Sequence, residues 1–556
     1  MIYLFFKMSV GALALLCLPS VFAAHAAPTF TPLPGLEYRP EGDAIVIENG
    51  ARWFNRPLYL HERFNILNVG EQPGVDGPMG RLYAAYARGD TRLALHDFQQ
   101  RVALYRAGRM EWELRDARLP DLVVRLLITT LARGDGTTAR LVAEGAKPGD
   151  LAAWVMVPPE AEKNSVYALK IEPAGLILDR VPATPLAQIR ARFSAPVLRW
   201  EKGSWRNHGL FASAPAPVAA SAELANTSLF AWFPVADTTP AYVAMICDDK
   251  DPRSWATLVR REAPLDPSVI ADPARAFAAG LARVTGHGEQ VVADTPDPYF
   301  NAAVSASVAA AVGLFVDPTF VHGGSRWRLQ MPGWRTMGAA YNYGFHDQVK
   351  RSLAYWGSLQ VKTPKGKDHG VYSANLAQQA GDSRFFGKGF VDYKQPPHYE
   401  FQTLMFDEAV RAWRATGDAE LEKLLLPMLE LHLERGRECF DPDGDGLYES
   451  YNNTWPNDSV WFSGGGTSEQ SGYMHYGHRA AADMRRRLGD TAGAAAHDAA
   501  ADHIRAALDK ILWLPRAGYY ASYIEQTGHR RVHTDPWIYS QHVPIESGMS
   551  SPLQAW

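Results

Sequence analysis

From about residue 28 to 290 the chain runs in short apolar stretches broken by Gly, Pro and Asp. They include "DAIVIENG", "RLALHDF", "RVALYRAG", "MEWELRDA", "DLVVRLLITTLARGDGTTARLVAEG", "LAAWVMV" and "VYALKIEPAGLILD". Runs of about four to eight residues with partial alternation, closed by turn dipeptides, predict antiparallel strands. Their number predicts a large β-sandwich over 28–290. "APAPVAASAELANTS", 214–228, reads as a loop by composition.

From about 298 the apolar period changes to helical. Helices are predicted at "PYFNAAVSASVAAAVGLF", "GFHDQVKRSLAYWGSLQV", "YEFQTLMFDEAVRAWRATGD", "AELEKLLLPMLELHLERG", "TSEQSGYMHYGHRAAADMRRRLGD" and "AGAAAHDAAADHIRAALDKILW". At Gly417-Asp418 and again at Gly489-Asp490 one helix stops and the next starts at once. Gly favours the position after a helix end, and Asp caps the next start. The repeating unit is a helical hairpin followed by a long loop, which implies an α/α toroid or solenoid with its long loops at one end. The fold class is therefore multidomain β + α: a sandwich, then a toroid-type helical domain over 291–556. The loop-rich end is the expected functional face.

Composition narrows the partner. A net charge of −4 gives no field for nucleic acid. Sixteen Trp and 23 Tyr exceed what packing needs, and they gather in the loops of the second half. Residues 321–343 carry Trp334, Arg335 and Tyr341; residues 440–466 carry Tyr451, Trp455 and Trp461 among Asp, Asn and Glu. Aromatic rings beside carboxylates and amides suit a sugar, stacking on its C–H face while polar groups bond its hydroxyls. The alternative is that the rings pack the loops together. Trp334, Trp455, Trp461 and Tyr473 are the candidate walls, and Arg335 and His346 would clasp an acidic sugar or fix the loop. The apolar N-terminus, with small residues between Ala23 and Ala27, reads as a cleaved signal peptide over 1–27. A periplasmic or secreted protein follows, with no membrane contact after cleavage. Cys247 and Cys439 then remain, in different domains, which argues against a disulfide framework.

The stretch "SGGGTSEQSGYMHYGHR" opens a helix with Glu469 in its first turn. Thr467 and Gln470 make a T-x-x-Q capping box, so the acid is not needed as the cap. Glu469, Tyr473, Tyr476, Ala480, Met484 and Leu488 share one helix face whose lower members are apolar. That points Glu469 inward, where burial raises a carboxyl pKa into the range of a general acid. The bland alternative is an acid favoured by the helix dipole.

Around this helix, residues 440–525 carry in order "DPDGDGLYE", "YNNTWPNDSVW", "SEQSGYMHY", "RLGD" and "ILW". The order resembles six-hairpin (α/α)6-barrel glycoside hydrolases of bacterial polysaccharide breakdown. "NGARWFNRPLYLHERFNILNVGEQPGV" is similar to the opening of a bacterial family of unknown function that couples a β-domain to such a barrel. The resemblance implies hydrolysis of plant or microbial oligo- or polysaccharide, mostly with inversion, and no required cofactor. It implies a general acid at the mouth of a mid-barrel helix, the position of Glu469, and a base from a loop near the barrel's end. Glu546 and Asp458 are the available bases. A complete barrel needs roughly 400 residues, so the chain is expected to hold about half of one and to expose apolar helix faces.

Other constellations carry rival readings. Asp441, Asp443, Asp445 and Glu449 with Gly446 follow the start of a calcium loop, with Asn452 where such loops place a bidentate Glu. Either a structural Ca2+ or an Asx-rich turn accounts for them. His475 and His478 stand three apart without an evident third ligand, which favours packing. "SGGGTS" before a helix would hold phosphate, the mark of a sugar phosphorylase. Tyr341, His346 and Arg335 leave a polysaccharide lyase open. A non-catalytic glycan-binding protein, or a decayed enzyme, is the rival from outside catalysis.

Overall fold

The structure, a computed structural model, describes residues 37–556 except 54–55, 60–65, 78–79, 135, 158–188, 195–196, 203–204, 224–227, 249–266, 322–327, 329–335, 364–387, 392–398 and 454–459. The predicted signal peptide and "VYALKIEPAGLILD" lie outside the described residues.

The N-terminal strands form two antiparallel sheets. A ten-stranded sheet runs from Arg39–Glu41 at one edge to Ile189–Ser194 at the other, and an eight-stranded sheet faces it. Alternation decides which side chains enter the space between them. In Arg109–Arg115 the buried residues are Met110, Trp112 and Leu114, every second position. From the facing sheet Leu82, Ala84, Tyr86 and Trp154 join the same core. Gly80–Arg88 is buried on both faces, because Tyr83 and Ala85 form a second cluster with Val155 and Phe230 on the far side.

Two expectations are corrected here. Ala219–Glu223 is an edge strand paired with Ser228–Pro234, so 214–228 is not all loop. Its alanines carry little strand signal of their own, and a neighbouring strand supplies the pairing. Helix α1, Pro273–Gly288, stands where the strand pattern was carried on to 290. Asp272 caps it by accepting from the Arg275 N–H at 3.1 Å, with Pro273 in the first turn, the usual place for proline in a helix. Gly280 lets α1 lie flat on the ten-stranded sheet: a Cβ there would stand 2.4 Å from the Thr130 carbonyl.

Among the described residues the further helices are α2 (Pro298–Gly313), α3 (Thr336–Asn342), α4 (His346–Leu359), α5 (Tyr399–Thr416), α6 (Ala419–Phe440), α7 (Ser468–Arg487), α8 (Thr491–Ile511), α9 (Ile538–Glu546) and α10 (Pro552–Ala555). Helix α3 packs on α5, α5 on α7 and α7 on α9, while α4, α6 and α8 return outside them. The inner helices therefore run in one direction. Gly417 (φ +65°) and Gly489 (φ +80°) end α5 and close the turn after α7, and Asp418 and Asp490 cap the helices that follow. Those short turns lie together, since Arg487 donates to the Gly417 carbonyl at 3.0 Å and Tyr341 donates to Asp418. The long connections 360–398, 441–467 and 512–537 all lead into inner-helix N-termini at the opposite end. Leu425, Leu429, Met474, Met484 and Leu508 belong to one continuous core between the two layers. Among the described residues no helix is long and apolar enough to cross a membrane. Cys439 is buried.

Candidate functional site

The long-loop end is where helix N-termini, and the residues just inside them, are gathered. Helix α7 stands at its centre, enclosed by α5, α6, α8 and α9. Thr467 is its N-cap and accepts from the Gln470 N–H at 3.2 Å. The predicted reciprocal half of the capping box is absent: the Thr467 N–H donates to the Tyr448 carbonyl at 2.9 Å. The Gln470 side chain is 1% exposed, and neither its amide oxygen nor its amide nitrogen has a hydrogen-bond partner. The T-x-x-Q spacing assigns that amide to the cap, and nothing in the sequence marks it as a site residue.

Glu469 is 3% exposed and Tyr473, one turn on, 5%. Both are therefore enclosed at the start of a core helix. The face below them is apolar at Ala480 and Met484, but Tyr476 is only half-buried, with the guanidinium groups of Arg411 and Arg414 about 5 Å above its ring. Leu488 does not belong to that face: it caps the C-terminus of α7 and is exposed.

The three glycines before this helix are strand residues. Val460–Thr467 pairs with Glu449–Asn453 on one side and with Tyr523–Glu525 on the other. A Cβ at Gly465 would meet the Ile524 carbonyl at 1.7 Å, and one at Gly466 the Leu447 Cβ at 2.4 Å. At Gly465 and Gly466 the lack of a side chain serves close strand approach.

The candidate calcium ligands separate. Carboxylate oxygens of Asp441, Asp443 and Asp445 converge within 4.8 Å of one another, but Glu449 is not among them. Gly444 and Gly446 take left-handed φ values, and the Gly446 N–H donates to Asp441 at 3.3 Å. Burial, with the neighbouring Asp445 and Asp443 charges, pushes the Asp441 carboxyl up to about 6. Arg530 supplies countercharge, pairing with Asp443 at 3.4 Å and Asp445 at 3.1 Å. Three oxygen donors fit the start of a calcium shell, and a cation there competes with Arg530. Glu449 instead begins a strand against the first turn of α7 and is 3% exposed.

Glu546 ends α9, where Arg411 pairs with it at 3.4 Å. Arg411 also lies over Tyr476, two helical turns, about 10 Å, further along α7 than Glu469. Tyr341 and His346 stack at 4.2 Å beside the α3–α4 turn, at the short-turn end and away from Glu469. Burial and the bond to Asp418 push the Tyr341 hydroxyl up to about 12. Trp334, Arg335, Trp455 and Asp458 lie outside the described residues, and Trp461 is placed only as the ladder partner of Asn452. His475 Nδ1 lies 3.1 Å from the Ser547 carbonyl, and His478 Nδ1 lies 3.0 Å from His497 Nδ1.

No protein-family model matches this chain, and comparison with curated proteins finds no match. Among solved structures it is similar to a bacterial glucoamylase complexed with acarbose (9% identity, 88% of this chain and 74% of the other, TM-score 0.47). It is also similar to a chain assigned as a kojibiose phosphorylase from the human microbiome (8% identity, 88% and 73%, TM-score 0.43). A GH78 family rhamnosidase of Bacillus sp. GL1 is similar over 67% of this chain and 38% of its own (13% identity, TM-score 0.38).

Proposed function

We propose that this protein is an exported glycoside hydrolase-like enzyme acting on plant or microbial oligo- or polysaccharide, with Glu469 as general acid. The observation that carries the reading is the placement of Glu469. It is a nearly fully buried carboxyl in the first turn of an inner helix, at the end of the hairpin stack where the inner helices start. Glu469 protonates the departing glycosidic oxygen as the bond to the anomeric carbon breaks. Tyr473, one turn below, forms part of the wall. The aromatic residues that the sequence gathers in 440–466, ahead of α7, are the candidates for stacking on the sugar.

The test is turnover of a panel of aryl glycosides and plant and microbial polysaccharides by the wild type and by Glu469→Gln. The isosteric amide keeps the volume but carries no transferable proton. Loss of about 10²–10⁴-fold in kcat is expected, with the melting temperature little changed. Wild-type protein that binds oligosaccharide in a calorimeter but releases no sugar from any substrate would instead mark a glycan-binding protein.

A further inference from the structure

We infer that Glu449 is the second carboxylate of this site, the base that activates water for the reaction in which Glu469 is the acid. The inference rests on the hydrolase reading above and adds to it the missing partner. Three observations place Glu449. It is 3% exposed, although it opens a strand in a loop region. Its neighbour Tyr448 is clamped to the start of α7 from both sides: the Tyr448 N–H donates to Ser471 Oγ at 2.9 Å and its carbonyl accepts from the Thr467 N–H at 2.9 Å. In the ladder Glu449 stands opposite Gly466, which offers no side chain, and Gly466 precedes Glu469 by three residues.

Glu449 thus leaves the aspartate cluster with which its sequence spacing groups it, and joins the helix start that carries Glu469. The ladder slips between Ser450 and Asn452, an irregularity of the kind that re-aims side chains beside sites. Gln470, the residue after Glu469, is a buried amide in the same turn. A buried amide with no partner at either atom costs about 1–3 kcal/mol, and a sugar hydroxyl or a bound water offers both the donor and the acceptor it lacks.

The step balances without a co-reactant beyond water. Glu449 takes a proton from water as the water oxygen bonds to the anomeric carbon. The carbon–oxygen bond to the leaving group breaks, and that oxygen receives the proton of Glu469. The product is the sugar hemiacetal of inverted configuration.

The experiment compares wild type, Glu469→Gln, Glu449→Gln and Glu449→Ala for turnover, pH profile and melting temperature, with sodium azide added to each. The expected result is a loss of 10²-fold or more in kcat for both Glu449 variants at little-changed melting temperature. The acidic limb of the kcat/KM profile should disappear, and azide should restore turnover of Glu449→Ala with a glycosyl azide as product. An active wild type whose Glu449 variants keep near-normal rates would overturn the inference and leave the role of Glu469 standing. So would slowed Glu449 variants whose kcat/KM profile keeps the acidic limb and whose rate ignores azide, because Glu449 would then only support the fold. A wild type that hydrolyses nothing, confirmed as folded by its melt, removes the hydrolase reading and this inference with it.

Discussion

Three histidines are buried between the helices without a charged partner that would hold them protonated. Burial is the first cause that lowers each of them: His432 to about 3, His475 to about 4 and His478 to about 3. An unfolded chain protonates such groups near pH 6.5. Between that value and about pH 4 the unfolded state therefore binds more protons than the fold, and stability falls as the pH falls. The expected slope is on the order of 1 kcal/mol per pH unit for each histidine. Urea unfolding at pH 7 and pH 5 measures it, and His478→Gln should flatten the dependence. Equal stability at the two pH values in the wild type would show that these rings are not neutral in the fold. The aspartate loop makes a different prediction. If Asp441, Asp443 and Asp445 take Ca2+, millimolar Ca2+ should raise the melting temperature, EDTA should reverse the rise, and Arg530→Ala should enlarge it by removing the competing cation. A melt indifferent to Ca2+ in both proteins leaves the loop as a turn held by Arg530.

Helix α1 shows how one element is fixed by two of its glycines in opposite ways. Gly280 touches the sheet so closely that a methyl group would overlap the Thr130 carbonyl, whereas Gly286 has nothing within 4 Å of its Cβ position. Gly280→Ala should destabilise by about 1–3 kcal/mol through forced separation of helix and sheet. Gly286→Ala should stabilise by up to about 1 kcal/mol, since alanine loses less entropy in a helix. Denaturant melts of the pair decide it, and equal effects would place α1 elsewhere than against Thr130. Two polar contacts pin the same packing: Arg283 donates to Thr130 Oγ1 at 2.6 Å and Arg109 to Thr285 Oγ1 at 2.8 Å.

Across the molecule, side chains rather than backbone ladders join the inner helices. Arg411 on α5 pairs with Asp407 on its own helix at 2.9 Å, reaches Glu546 of α9 and covers Tyr476 of α7. The Asp407 side chain is 1% exposed, so taking away the guanidinium removes a countercharge from a buried carboxylate. Arg411→Met should cost about 3–5 kcal/mol, and Arg411→Met with Asp407→Leu should recover much of that, because apolar packing replaces a buried ion pair at little cost. A strictly additive double variant would show that the two groups are not coupled. The sandwich is tied to the helices by α1 and by the Tyr299 hydroxyl, which donates to the Tyr38 carbonyl at 2.7 Å.

Much of this architecture could be read locally. Alternation in "MEWELRDA" shows which side chains face the sandwich core, and each Gly-Asp step writes both a left-handed helix end and the next N-cap into adjacent residues. From those steps the ordering of short turns and long loops follows, and with it the end of the stack that holds Glu469. Such signals act within one turn or one strand, so a single stretch of sequence contains them whole. What the stretch cannot contain is its partner. The Ala219–Glu223 strand exists because Ser228–Pro234 lies beside it, and α1 lies where its Gly280 meets the Thr130 carbonyl. Spacing joined Glu449 to three aspartates, but pairing with Gly466 carried it to α7. Spacing does not show that Glu546 meets Arg411, 135 residues earlier; the fold pairs them. Capping and period are short-range physics and belong to the sequence; charge pairing and burial depend on segments far apart in the chain, and only the folded structure brings those together.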